Sequence, residues 1–260
     1  MMEPFLFPLF FFLLGACAGS FLNVCICRLP EKESIVSPRS HCPKCSKQIL
    51  IRDNIPVLSY ILLGGRCRNC KEKISVLYPL IELLTGLVFL YFFYLFKLRL
   101  ELLPNLIFVC SLIAISAIDI KHRIIPNEIS IPFIFLGILF SPLLHITWVD
   151  SILGALVGGS LLYLIAAVYS FLTKKEGMGM GDVKLLAMIG AFLGVRGVLL
   201  SLVFGSFLGT LGGLFMIIWK GKGREYPIPF GLFLSIGAVV TLLWGNELLM
   251  AYLEFIMSFR

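Results

Sequence analysis

Two aspartates and four cysteines have the residue types and spacings in this sequence that could do chemistry. Asp119 closes the run Ser116-Ala-Ile-Asp119 and precedes Lys121-His-Arg-Ile-Ile-Pro-Asn127; Asp182 closes Gly177-Met-Gly-Met-Gly-Asp182. Both border long apolar stretches, where carboxylates are costly and functional by default. Two carboxylates held close together cannot both ionise easily, so one keeps a proton. The ionised partner can then take a proton from water while the protonated one donates to a carbonyl oxygen, which is chemistry suited to peptide hydrolysis. Gly177, Gly179 and Gly181 permit backbone angles closed to other residues and let a substrate backbone approach the carboxylate. No activated Ser or Cys is evident, and no His-Glu-x-x-His motif occurs. Paired acidic groups in a helix bundle also suit a second class, a transporter that relays protons or binds cations. A lone aspartate at either place would do no more than cap a helix or pair with Lys121, Arg123 or Lys184. On the residues alone, protease and transporter rank level.

The cysteines fall as Cys42-Pro-Lys-Cys45 and Cys67-Arg-Asn-Cys70, two knuckles separated by 21 residues. Each knuckle offers two thiolates from one tight turn, and two knuckles close a tetrahedron around zinc or a similar thiophilic ion. Four thiolates leave no open coordination position, so such a metal holds the loop together and does not activate water. The competing readings are disulfides and a tetrad without metal. A scaffold whose zinc loop docks partners is a third class of function. His41 adjoins Cys42 as an outer-shell candidate, although a surface histidine is the simpler reading. Cys17, Cys25, Cys27 and Cys110 lie in apolar runs and read as small packing residues.

Apolar helices must position these groups. The 260 residues are 59% apolar and 14% charged, whereas a soluble domain is about 45–50% apolar and about 25% charged. Such a composition excludes a disordered chain, a soluble nucleic-acid binder and a small secreted disulfide scaffold. The fold class expected is therefore all-α: a polytopic transmembrane helix bundle in the lipid bilayer. Spans of about 20 residues are expected near 5–27, 76–96, 102–119, 129–147, 152–173, 184–200, 202–219 and 228–256. The sixth of these eight is the weakest, because Gly194 and Arg196 interrupt it. The N-terminus lacks a basic n-region and its apolar run is too long for an h-region, so the first run reads as a retained span. The domains expected are a first helix over 1–27, a small zinc-binding loop domain over 28–75 and a catalytic helix bundle over 76–260. Gly15 and Gly19 form a GxxxG pair suited to close helix packing, and no internal repeat is evident.

Orientation follows from Lys and Arg placement. With the N-terminus outside and eight spans, 18 of the 22 basic residues fall on the inside, and the loop 141–151 has none. The net charge of +7 is therefore read as topology, with no nucleic-acid partner. The cysteine loop then lies in the cytosol, where thiols stay reduced, which favours metal over disulfides. Asp119 and Asp182 fall at the same membrane face.

In order along the chain stand Gly19-Ser-Phe-Leu-Asn-Val24, Arg28-Leu-Pro30, Cys42-Pro-Lys-Cys45, Asp53-Asn-Ile-Pro-Val-Leu-Ser59 and Gly65-Arg-Cys-Arg-Asn-Cys70. Tyr78-Pro-Leu-Ile-Glu82, Ile118-Asp119 with Ile125-Pro-Asn127, Gly179-Met-Gly-Asp182-Val-Lys184-Leu-Leu-Ala187 and Ile228-Pro-Phe-Gly231 follow. This series resembles the bacterial type IV prepilin peptidases over nearly the whole chain. The resemblance implies an inner-membrane aspartic peptidase that cuts the basic leader from prepilins or pseudopilins at the cytosolic membrane edge. It also implies N-methylation of the new terminus from S-adenosyl-L-methionine. On that resemblance Asp119 and Asp182 would be the peptidase pair and Cys42, Cys45, Cys67 and Cys70 the Zn2+ ligands; Gly179, Gly181, Glu82 and Lys184 are read from their positions as candidate substrate contacts. Glu82, Glu31 and Glu33 are candidates to guide a basic leader. Cys25-Ile-Cys27 departs from the family pattern, where aliphatic or aromatic residues are expected. No Gly-x-Gly-x-x-Gly on a strand–helix unit points to a Rossmann-type site for the methyl donor.

Overall fold

The computed structural model of the protein describes residues 3–174, 179–220 and 229–258. Gly177 and Ile228, named in the motifs above, lie outside the described residues. The described chain forms eight α-helices: α1 (Glu3–Arg28), α2 (Leu58–Leu62), α3 (Leu77–Phe96), α4 (Leu102–His122), α5 (Asn127–Phe140), α6 (Trp148–Thr173), α7 (Met180–Lys220) and α8 (Phe230–Ser258). Among the described residues there is no β-strand, only two isolated bridges, His41 with Gln48 and Arg66 with Lys73. Seven helices are long and apolar enough to cross a membrane. Large apolar side chains such as Leu156, Phe171 and Leu172 stand more than half exposed, a surface suited to lipid and not to water. The protein is an integral membrane protein of all-α class.

The chain forms two compact units, Met1–Ala114 and Ile115–Arg260. In the first, α1 packs along α3. A Cβ at Gly15 would lie 2.6 Å from the Cβ of Phe89, and one at Gly19 would lie 2.7 Å from the Cα of Glu82. The GxxxG pair is thus the surface that lets the two backbones meet, with Phe11 stacked on Phe93 at 4.6 Å between ring centroids. Asn23, buried on α1, donates from Nδ2 to the carbonyl of Tyr78 at 3.0 Å. The segment between these helices carries both cysteine knuckles.

The second unit is built on close helix approaches at glycine. Gly154 and Gly158 of α6 meet Gly190 and Leu186 of α7, so the two helices run antiparallel. The 41 residues of α7 are not one rod: Gly194, with φ +69° and ψ −176°, breaks the helix. A straight helix would carry Gly205 about 34 Å from Asp182. Instead Gly205 lies against Leu234, within a turn of Gly231, and Gly231 lies against Asp119 near the start of α7. Gly237 likewise faces Ser201, and Gly209 faces Phe230. The chain therefore reverses at Gly194, and α7 holds two antiparallel helical arms. Seven helices are candidate spans, and with α7 divided at Gly194 they give eight helical segments, the number expected. The boundary between the sixth and seventh falls at Gly194 and not near residue 201, because the interruption at Gly194 and Arg196 is the turn itself. Asp150, in the first turn of α6, accepts the Val195 N–H at 3.3 Å at the start of the second arm.

Candidate active site and metal centre

In the second unit, three helix ends meet. Asp119 lies in the last turn of α4, Asp182 in the first turn of α7, and Gly231 and Leu232 in the first turn of α8. Asp119 is 5% exposed, and its Oδ2 accepts the Leu232 N–H at 3.1 Å. The first N–H groups of a helix lack intrahelical partners and carry positive partial charge, so the start of α8 favours an anionic group there. Asp119 acts electrostatically on Asp182, and Arg123 acts on Asp119. Ile125 wedges the cluster: a Cβ on Gly181 would lie 2.9 Å from Ile125 Cβ, and one on Gly231 would lie 3.0 Å from Ile125 Cδ1 and 2.9 Å from Asp119 Oδ2. Glycine at 181 and 231 is what lets α7 and α8 close on the segment after Asp119. Among the described residues, the nearest side-chain atom to where a Gly179 Cβ would stand is Asp182 Oδ2, at 3.9 Å. The Gly179 carbonyl accepts the Asp182 N–H at 3.2 Å.

Lys184, one turn along α7, donates to Asn127 Oδ1 at 2.6 Å. This bond joins the segment after Asp119 to the helix of Asp182. Nothing in the sequence alone gives Leu232, Ile125 or Asn127 a role at the site. Ile125, Asn127 and Gly231 stood within quoted motifs, but spacing alone does not say which main-chain N–H points at which carboxylate.

In the first unit, the Sγ atoms of Cys42, Cys45, Cys67 and Cys70 all lie within 4.8 Å of one another, and Cys42 Sγ is 3.7 Å from Cys70 Sγ. A disulfide would need about 2.05 Å, whereas the edge of a zinc–thiolate tetrahedron with 2.3 Å bonds is about 3.8 Å. The four sulfurs can hold a metal ion. Both knuckles have the same backbone. The Ser46 N–H donates to the Cys42 carbonyl and the Lys71 N–H to the Cys67 carbonyl, at 2.8 and 3.0 Å. Ser46 and Lys71 both have positive φ, 55° and 59°. The Cys42 and Cys67 N–H groups reach the carbonyls of Lys47 and Glu72. A short repeat at an offset of 25 residues is therefore present, though side-chain identity alone conceals it. The N–H groups of Cys70 and then Asn69 hold the Cys67 thiol down at about 6, which favours the thiolate a metal needs. Arg68 clasps Asp53 through Nε and Nη2, the latter bond 2.6 Å long, and holds its carboxyl below the usual range. His41 is exposed, its Nδ1 3.3 Å from the Arg39 carbonyl oxygen.

Glu82 also belongs to this unit. It is 9% exposed, and its Oε2 accepts the Val57 N–H at 2.7 Å. Glu31 and Glu33 are exposed on the segment after α1. Between the cysteine segment and the facing ends of α1 and α3 lies a cavity of about 610 Å³, lined among others by Asn23, Arg28, Tyr60, Tyr78 and Glu82.

A polytopic helical membrane protein with two interacting carboxylates at converging helix ends is a class of intramembrane-edge aspartic site. Residues 106–214 match the type IV leader peptidase family, and residues 13–96 match the bacterial peptidase A24 N-terminal domain. The chain is 35% identical to the prepilin leader peptidase/N-methyltransferase of Pseudomonas aeruginosa, over 97% of this chain and 96% of that one. It is 34% identical to the one of Aeromonas salmonicida, over 98% and 96%. Identity to that of Myxococcus xanthus is 42%, over 84% of this chain and 65% of the other. No solved structure matches. The chain belongs to the type IV leader peptidase family.

Proposed function

We propose that the protein is a membrane aspartic endopeptidase that removes the basic leader from type IV prepilins or pseudopilins at the cytosolic face of the bacterial inner membrane, and then methylates the new N-terminal amine. The observation that carries the peptidase half is the meeting of Asp119, Asp182 and the Leu232 N–H at three helix ends. One carboxylate, ionised, takes a proton from water as its oxygen attacks the scissile carbonyl carbon. The other, protonated, donates to the carbonyl oxygen. As the tetrahedral carbon collapses, the C–N bond breaks and the amine leaves with a proton from the carboxyl pair. Gly179, beside Asp182, is assigned to an extended substrate backbone, while Gly181, packed on Ile125, serves the site by letting α7 close. Lys184, held by Asn127 and two residues along α7 from Asp182, is assigned to a main-chain carbonyl of the bound chain. Glu82, in the other unit, is assigned to substrate binding where its carboxylate can meet a cation. The relatives bear a peptidase and methyltransferase name, which favours hydrolysis over proton- or cation-coupled transport.

Zn2+ suits the four-sulfur cluster by donor type and spacing, and would serve as a structural clamp. S-adenosyl-L-methionine, the methyl donor, would supply an activated methyl group: an N–C bond forms at the free amine, the S–C bond breaks, S-adenosylhomocysteine leaves and the amine gives up a proton. Purified wild type should cleave a prepilin in detergent, and Asp119→Asn and Asp182→Asn should each lose cleavage by at least about a hundredfold. Full cleavage by either variant would sink the two-aspartate mechanism.

A further inference from the structure

We propose that the cavity of the first unit is the methyl-donor site, with Arg28 holding the donor's carboxylate and Glu82 facing its sulfonium. This rests on the methyl-transfer half of the proposed function. The second activity in the relatives' name needs a cofactor-sized recess, and residues 13–96, outside the peptidase match, contain one. Its volume of about 610 Å³ lies in the range of small-molecule sites, about 300–1,000 Å³.

The charges lining it are the stronger argument. Arg28 is 8% exposed, and its guanidinium gives Nη1 to the Ser34 carbonyl at 2.8 Å and Nη2 to the Pro38 carbonyl at 2.7 Å. Those are neutral acceptors; among the described residues no carboxylate forms an ion pair with Arg28. Glu82 is 9% exposed, accepts the main-chain N–H of Val57, and forms no ion pair among the described residues. A buried cation and a buried anion, each without a charged partner, are costly in one small cavity. A zwitterionic ligand removes both costs at once. Gly19 marks the level of Glu82 on α1, and Arg28 stands nine residues further along, about 13 Å. Side chains reaching inward from these two levels suit a molecule whose acid end and cationic centre are separated.

Two further features fit. Tyr60 and Tyr78 line the same recess and offer ring faces for a planar base. Val57, whose N–H holds Glu82, has φ +60° and ψ −50°, and the Leu58 N–H reaches the Pro56 carbonyl at 2.6 Å. That is a strained positive-φ γ-turn on a β-branched residue. It is kept where it fixes the Glu82 carboxylate at the cavity.

Calorimetry on the full chain in detergent tests the assignment, using S-adenosylmethionine and the uncharged thioether S-adenosylhomocysteine as probes. In Glu82→Gln the amide oxygen can still accept the Val57 N–H. S-adenosylmethionine binding should weaken about tenfold, with S-adenosylhomocysteine unchanged. In Arg28→Gln both probes should weaken by the same factor, because both carry the carboxylate. If wild type binds neither probe, methyl transfer and this proposal fail together, while the peptidase reading stands. If wild type binds both and Glu82→Gln either binds as wild type or loses both probes equally, the placement is overturned alone.

Discussion

At the scale of single residues, the absence of one methyl group governs the aspartate cluster. Gly231 sits in the first turn of α8 with ordinary helical geometry, so alanine there has no backbone strain to meet. The obstacle is contact: the added carbon would lie 2.9 Å from Asp119 Oδ2 and 3.0 Å from Ile125 Cδ1. The carboxylate would have to swing off the Leu232 N–H. Displacing a reacting group by about 1 Å costs about a hundredfold in rate, so Gly231→Ala should cut leader cleavage by that order in a folded protein. Gly209→Ala is the control on the neighbouring helix, where the nearest atoms stand at 3.7 Å, an ordinary contact. It should cleave as wild type, and equal loss in both variants would show a general packing effect. Both aspartates were legible in the sequence, because carboxylates beside apolar runs are rare. The donor to Asp119 was not legible: a main-chain N–H leaves no side-chain signature, and only the packing of α8 brings Leu232 to it.

At the scale of elements, the turn inside α7 shows where hydropathy stops being informative. An apolar run broken by Gly194 and Arg196 fits a kinked span, a short helix or a reversal equally well, since lipid-facing composition is the same in each. The packing of Gly205 on Leu234 and of Gly237 on Ser201 decides for reversal. Two features hold the turn. Gly194 occupies a conformation at φ +69° and ψ −176° that is nearly exclusive to glycine, and a side chain there costs about 1–3 kcal/mol. A Cβ at that position would also meet the Asp150 carboxylate. Asp150 Oδ1 in turn accepts the Val195 N–H, the role of a helix cap, whose loss costs about 1 kcal/mol. Thermal melting in detergent should therefore rank Gly194→Ala below Asp150→Ala, and both below wild type. A Gly194→Ala variant melting with wild type would mean that the two arms do not turn at this residue. The doubled cysteine knuckle teaches the same lesson. Its repeat resides in hydrogen bonds and positive-φ positions, and of the side chains only the cysteines and the pair Ile49 and Ile74 advertise it.

At the scale of the whole molecule, composition points to lipid as the solvent, and the basic residues are the ground for the proposed direction. Reversal at Gly194 divides α7 into two arms and is compatible with eight crossings, the number on which the proposed orientation rests. Arg196, just past the turn, is exposed at the end where α6 begins, beside the 141–151 loop that has no Lys or Arg. The opposite end of the second unit holds Asp119, Asp182 and the start of α8. The proposed topology, argued from the basic residues and the positive-inside rule, puts residues 28–75 in the cytosol. Ten of the 22 basic residues stand in that segment, and Lys32 and Arg39 are exposed outside any helix. Trypsin should cut there first. In inverted inner-membrane vesicles it should release an N-terminal fragment ending near Lys32 or Arg39, while intact spheroplasts should keep the segment whole. Cutting from the spheroplast side would reverse every assignment of side. It would put the cysteines in an oxidising compartment, where metal-free disulfides are favoured over a zinc–thiolate cluster. It would also move the paired aspartates away from the face at which a cytosolic leader could meet them.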